Sequence, residues 1–147
     1  SVSSAISFTA FLEENSSSFA LPGYSMGNKG YDAWINALAQ DKANKFGMAY
    51  NAHVWTEARL YAVMFLNEIP GKLGSDHNYS ALKKAAKQYK KAAAALTSVC
   101  ALYPFPPRDE VITPAQKNKS VKLLKQAQQA ELKGMTYLKQ FGKEIGN

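Results

Sequence analysis

The chain has 147 residues, 46% of them hydrophobic, and a formal net charge of +7. That is enough apolar material for one core and too little for two, so a single domain over residues 1–147 is expected. No apolar run approaches the roughly 18 residues that a membrane-spanning helix needs, and a single cysteine, Cys100, excludes an internal disulfide framework and mildly favours a reducing, cytoplasmic compartment.

The charge is unevenly placed. Residues 1–71 hold four Lys/Arg against six Asp/Glu, and residues 72–147 hold fourteen against five. Only Arg59 and Arg108 are arginine. Arginine is the side chain suited to bidentate phosphate recognition, so the excess reads as a lysine-rich solvated surface and nucleic acid is not an expected partner. The opening residues lack the basic, apolar and small-residue pattern of a leader peptide, and no targeting segment is expected within them.

A short helix is expected over residues 3–14, capped by Ser3 or Ser4 and docking by Ile6, Phe8, Phe11 and Leu12. Residues 15–30 turn to Ser, Gly and Pro and read as a loop of a length often associated with function. Tyr31, Trp34, Ile35 and Leu38 then follow the i, i+3, i+4, i+7 pattern of an amphipathic helix ending near Gln40.

The next helix is the longest apolar one, from Phe46 to Ile69, with its end set by Pro70-Gly71. At 100° per residue, Phe46, Tyr50, Val54, Tyr61, Met64 and Phe65 fall on one side and Met48, Trp55, Ala62 and Leu66 on the other. A helix apolar nearly all round is expected to be buried, which makes this one the central core element.

Beyond Gly74-Ser75-Asp76, Tyr79, Leu82, Ala86, Tyr89, Ala93, Leu96, Cys100 and Tyr103 alternate spacings of three and four, a heptad-like seam. Lys83, Lys84, Lys87, Lys90 and Lys91 occupy the opposite arc. Pro104, Pro106 and Pro107 end that helix. Thr113-Pro114-Ala115-Gln116 is a capping box that opens a last helix of about thirty residues. Its stripe runs through Val121, Leu124, Ala127, Glu131, Met135 and Leu138, and Gly134 within it suits a close helix approach. No strand-like alternation of useful length appears. The expected fold is an all-α, single-domain bundle of four to five helices with a long central helix and a C-terminal antiparallel helical hairpin.

His53 and Glu57 are one turn apart, within the arc of Phe46, Tyr50, Leu60, Tyr61 and Met64. If that arc is buried, they are a general-base pair, a polar anchor for a ligand, or a core histidine satisfied by its neighbour. A metal site is disfavoured, because carboxylate bundles use Glu-x-x-His from two helices and this spacing is His-x-x-x-Glu with no second copy. Asn51 and Arg59 share the second side of the helix with Trp55. Glu131 falls on an apolar stripe and needs a partner if it points inward, with Arg59 or His53 as the candidates. Cys100 lies on the dry seam without a nearby cation, which argues against a nucleophile. Gly-rich phosphate loops, zinc spacings and triad arrangements are absent, and no cofactor is expected.

Three stretches carry a family likeness: Gly30-Tyr31-Asp32-Ala33-Trp34, Ala49-Tyr50-Asn51-Ala52-His53-Val54-Trp55-Thr56-Glu57-Ala58-Arg59, and Leu102-Tyr103-Pro104-Phe105-Pro106-Pro107. Together they resemble the helical C-terminal region of bacterial and archaeal BtrH-like, C39-peptidase-like proteins, over roughly residues 28–145. The resemblance implies an accessory domain packed on a papain-like domain that this chain does not contain. It transfers no catalytic residue.

The leading expectation is therefore a non-catalytic binding or accessory domain, a fragment or relative of a larger protein. Its aromatic-lined pocket would hold a small or peptide-like ligand against Tyr31, Trp34, Tyr50, Asn51, His53, Trp55, Glu57 and Arg59. The alternatives are an interaction module docking an acidic partner through Lys83, Lys84, Lys87, Lys90 and Lys91, and a hydrolase or acyltransferase using His53 and Glu57.

Overall fold

The computed structural model describes residues 27–107, 109 and 111–146. The helix expected over residues 3–14 and most of the loop after it lie outside the described residues. The rest is all helical: α1 (Gly27–Ala39), α2 (Lys45–Leu73), α3 (Ser80–Leu102) and α4 (Pro114–Gly146), with no strand among the described residues. None of these helices is long and apolar enough to cross a membrane.

Two boundaries differ from the sequence expectation. Helix α1 begins at Gly27, inside the segment expected to be loop. A glycine costs about 1 kcal/mol in helix propensity, and that cost is offset here by the burial of Tyr31, Trp34 and Leu38 on one face. Helix α2 does not stop at Pro70 but runs on to Leu73. Proline removes the amide that would bond back one turn and crowds the carbonyl there, but it leaves its own carbonyl free to accept, and the Gly74 N–H donates to the Pro70 carbonyl at 3.0 Å, closing the final turn beyond the ring.

The other ends follow local chemistry. Asn44 caps α2, its side-chain oxygen accepting from the Gly47 N–H at 2.7 Å. The capping box closes reciprocally at the start of α4: the Thr113 N–H donates to Gln116 Oε1 at 3.0 Å and the Gln116 N–H donates to Thr113 Oγ1 at 3.1 Å.

Helices α3 and α4 run in opposite directions, because Tyr103 at the end of α3 meets Ser120 near the start of α4 (2.7 Å) while Tyr89 meets Gly134 further along. Helix α1 also opposes α4: Asp41, Asp32 and Tyr31 pair with Lys117, Gln128 and Glu131 respectively. The core divides into two apolar clusters along the bundle. The first joins α1 to the early part of α2, the late part of α3 and the early part of α4. The second joins the opposite halves of α2, α3 and α4, where short α1 does not reach.

Helix α2 is buried on one side only. Met48, Ala49, Ala52, Trp55, Thr56, Arg59, Ala62, Leu66 and Ile69 face the core. Phe46, Tyr50, Leu60, Tyr61 and Met64 on the other side are each about half exposed, between 48% and 57%. The expectation of a helix buried all round is corrected, for the described helices pack only against its inner arc. Apolar patterning records which arcs are capable of burial, and a covering element has to exist for each arc.

Candidate functional site

The eight residues assigned to one pocket by sequence separate into two sets on opposite sides of α2. Tyr31, Trp34, Trp55 and Arg59 are buried, with Asn51 half-buried beside them. Tyr50, His53 and Glu57 stand on the exposed arc. Residues 50, 53 and 57 are about 140–160° round the helix from residue 55, so no single cavity collects them all.

The inward set is tied to α4. Arg59 reaches Glu131 with two parallel hydrogen bonds, Nη2 to Oε1 at 2.8 Å and Nε to Oε2 at 3.1 Å. The Tyr31 hydroxyl donates to the same Oε2 at 2.6 Å. The guanidinium also lies over two rings, 4.5 Å from the Trp55 centroid and 5.6 Å from that of Tyr31. Of the two partners that the sequence offered to Glu131, the structure selects Arg59. Burial penalises the Arg59 charge, but the Glu131 carboxylate more than offsets this and leaves the guanidinium pKa above its ordinary value. Burial likewise pushes the Tyr31 phenol well above its ordinary value, and the Glu131 charge adds to the effect.

Beside this pair, α1 and α2 diverge around a cleft of about 310 Å³. Small residues form its two rims: Gly30, Ala33 and Ala37 at helical spacing on α1, and Gly47 on α2. Its floor is Trp34, Met48 and Trp55. The Trp34 indole N–H donates to Met48 Sδ at 2.9 Å, and the two indoles meet edge to face with centroids 5.2 Å apart. Asn51 and Lys42 add polar groups to the lining. A concave, mostly apolar site of this volume, with a few polar groups at its edge, falls in the range of small-molecule sites. The rim residues carried a readable signal, small side chains at i, i+3 and i+7, which an aromatic-centred reading passes over.

The outward set is different in kind. His53 Nδ1–H donates to its own helix at the Ala49 carbonyl (2.9 Å) and not to Glu57. Its ring lies 6.5 Å from that of Phe105, which is also 5.7 Å from Phe46. Phe105, in the proline-rich loop, thereby extends the exposed arc of α2 and had no periodic pattern to announce it. The expected inward placement of His53 and Glu57 is corrected, since both are exposed. Cys100 is half-buried against the Thr56 hydroxyl (3.6 Å), on the core side of the helix and away from that pair.

Lys83, Lys84, Lys87, Lys90 and Lys91 are all exposed on α3, with Lys84 Nζ 5.8 Å from the centre of the Tyr137 ring. Among the described residues no three of His, Cys, Asp and Glu converge as a metal site would require. The chain matches no family model, no characterised protein and no solved structure.

Proposed function

We propose that this is a non-catalytic binding domain whose ligand is small or peptide-like, with an aromatic or branched aliphatic group seated in the cleft between α1 and α2. The observation that carries the reading is the pairing of a two-tryptophan floor with rims of Gly and Ala, which leaves a flat apolar slot of about 310 Å³. Trp34, Trp55 and Asn51 of the sequence-derived set line it. Tyr31 and Arg59 support it from behind, by packing on Trp55 and bonding Glu131. In the accessory form of this reading, which rests on the likeness to BtrH-like proteins, the ligand group belongs to a papain-like partner domain.

Trp34 and Trp55 are the only tryptophans in the chain, so fluorescence excited selectively at tryptophan reports on the cleft. Titration with N-acetyl-phenylalaninamide, N-acetyl-leucinamide and an anilinonaphthalene sulfonate dye is expected to give a saturable fluorescence change and a rise in melting temperature. Ala33→Phe, which fills the slot from its rim, is expected to abolish both. Absence of any saturable change with all three probes would sink the reading.

A second reading is supported by the charge of α3. Its five lysines are exposed and no Asp or Glu lies between Ser80 and Leu102, so an acidic partner docking there would meet no opposing carboxylate on that helix. Such binding must weaken steeply with added salt. Partner affinity unchanged by salt, or by Lys87→Glu with Lys91→Glu, would exclude that docking mode.

A further inference from the structure

The exposed arc of α2 carries side chains of like kind at equal distances from its middle. Phe46 and Met64 lie nine residues to either side of position 55, Tyr50 and Leu60 five, and His53 and Glu57 two. At 100° per residue all six fall within about 40° of the direction opposite Trp55. The face is therefore an apolar strip roughly 27 Å long with a cation-forming residue and a carboxylate at its middle, and it reads the same from either end apart from that charge. No lysine interrupts it between Phe46 and Glu68, and Arg59, the only arginine in that span, is buried. The lysines that make the chain basic are thus kept off it.

A strip with these properties is complementary to itself. We propose that two copies of the chain pair through antiparallel α2 helices, about a two-fold axis at the level of residue 55. His53 then lies beside the partner's Glu57, Phe46 beside the partner's Met64, and Tyr50 beside the partner's Leu60. A two-fold axis brings each position 55 − k beside the partner's 55 + k, and at this register the pairs on the strip join apolar to apolar and His to Glu. The central pair sets each exposed imidazole, which does not hydrogen-bond Glu57 within its own chain, beside a carboxylate of the other copy. Half-exposed large apolar side chains in one contiguous row are the kind of surface that marks an interaction site. A contact between two helices of this length, widened at each end by Phe105, buries on the order of 1,000 Å² and belongs to the smaller, reversible class of interfaces. The cleft between α1 and α2 opens on a different arc and is left free.

The test uses the full chain. Light scattering or sedimentation at roughly 100 µM is expected to show a dimer that dissociates on dilution. In a Cys100→Ala background, Phe46→Cys and Met64→Cys are expected to form a disulfide when the two variant chains are mixed and oxidised. Neither variant alone should do so, because like positions lie about 27 Å apart across the axis. His53→Glu is expected to weaken the dimer about tenfold by setting like charges together, and the exchange H53E/E57H to restore it. Phe46, His53, Glu57 and Met64 are exposed, and far-UV circular dichroism verifies that each variant, and the Cys100→Ala background, is folded. A monomer at every concentration would overturn the proposal, whether the strip is then covered by residues 1–26 or by solvent. So would a dimer in which like positions cross-link, or one indifferent to His53→Glu.

Discussion

Arg59 and Glu131, 72 positions apart in the chain, are joined by a two-bond guanidinium–carboxylate fork with both side chains buried. The pair sits where the two apolar clusters of the core meet, with Tyr31 and Ala130 of one cluster and Ala62 and Tyr89 of the other as sequence or spatial neighbours. Because the Tyr31 hydroxyl bonds the same carboxylate, one Glu side chain fixes the registers of α1, α2 and α4 together. A buried ion pair gains little over a hydrophobic replacement, but losing one partner strands a charge.

Glu131→Leu is accordingly expected to cost about 3–5 kcal/mol, as the Arg59 charge is left buried without its carboxylate. The double replacement Arg59→Met with Glu131→Leu should recover most of that loss. Tyr31→Phe removes one charge-assisted hydrogen bond and should cost about 1.5–3 kcal/mol. Denaturant unfolding of the parent, Glu131→Leu, Arg59→Met and the double variant measures the coupling; additive losses in the double variant would show that the fork is energetically irrelevant.

Alkaline pH offers a second probe of the same region. Burial raises the phenol pKa of Tyr31, Tyr89 and Tyr103 above the ordinary value of 10.0, with the Glu131 charge contributing at the first two and the Ser120 hydrogen bond partly opposing burial at the third. A pKa raised by folding means that the unfolded chain loses its protons first. Stability is then fully present below about pH 10 and falls as pH rises beyond it. Each such tyrosine contributes a slope of about 1.4 kcal/mol per pH unit. The expected result is that phenolate absorbance for these three appears together with unfolding and not before it. Ionisation of all the tyrosines near pH 10 in a chain that stays folded would contradict the burial.

The ends of α3 and α4 and the packing face of α3 were legible because their signals are local: prolines after Tyr103, a capping box at Thr113, and spacings of three and four from Tyr79 onward. The inner and outer arcs of α2 were not distinguishable in the same way. Phe46 and Tyr50 are as apolar as Met48 and Trp55, and which arc is covered depends on where α1, α3 and α4 pack. The same long-range dependence split the predicted site. His53 and Trp55 are two residues apart, which on a helix places them 160° apart, and only the side on which the other helices pack decides which of them is inside. Glu131 was recognisable as a carboxylate needing a partner. Choosing Arg59 over His53 required the rotational position of α2 against α4.

At Gly134 the α4 backbone packs directly against the Tyr89 ring of α3. A Cβ there would stand 2.8 Å from Tyr89 Cε2 and 3.1 Å from Cδ2. The Tyr89 ring is itself buried between the helices, so it has little room to turn away. Gly134→Ala gains up to about 1 kcal/mol in helix propensity and incurs about 1–3 kcal/mol of overpacking. Net destabilisation is expected, and Gly134→Ala combined with Tyr89→Leu should be less destabilised than the sum of the two single changes. A Gly134→Ala protein more stable than the parent would place the ring elsewhere.

The join between α3 and α4 provides the last prediction. Gln116 has two tasks: its Oε1 accepts from the Thr113 N–H, and its Nε2 donates to the Leu102 carbonyl at 3.2 Å, one of the last acceptors of α3. The Thr113 side chain has a single task, its Oγ1 accepting from the Gln116 N–H. Thr113→Ala should therefore cost about 1 kcal/mol, the usual value of a lost N-cap. Gln116→Ala should cost more, because it also leaves a helix-end carbonyl without its side-chain donor. Gln116→Glu separates the two tasks, since a carboxylate still accepts from Thr113 but has no hydrogen to donate to Leu102. It is expected to fall between the parent and Gln116→Ala in denaturant unfolding, and equal stability of Gln116→Glu and the parent would show that the link to Leu102 contributes nothing.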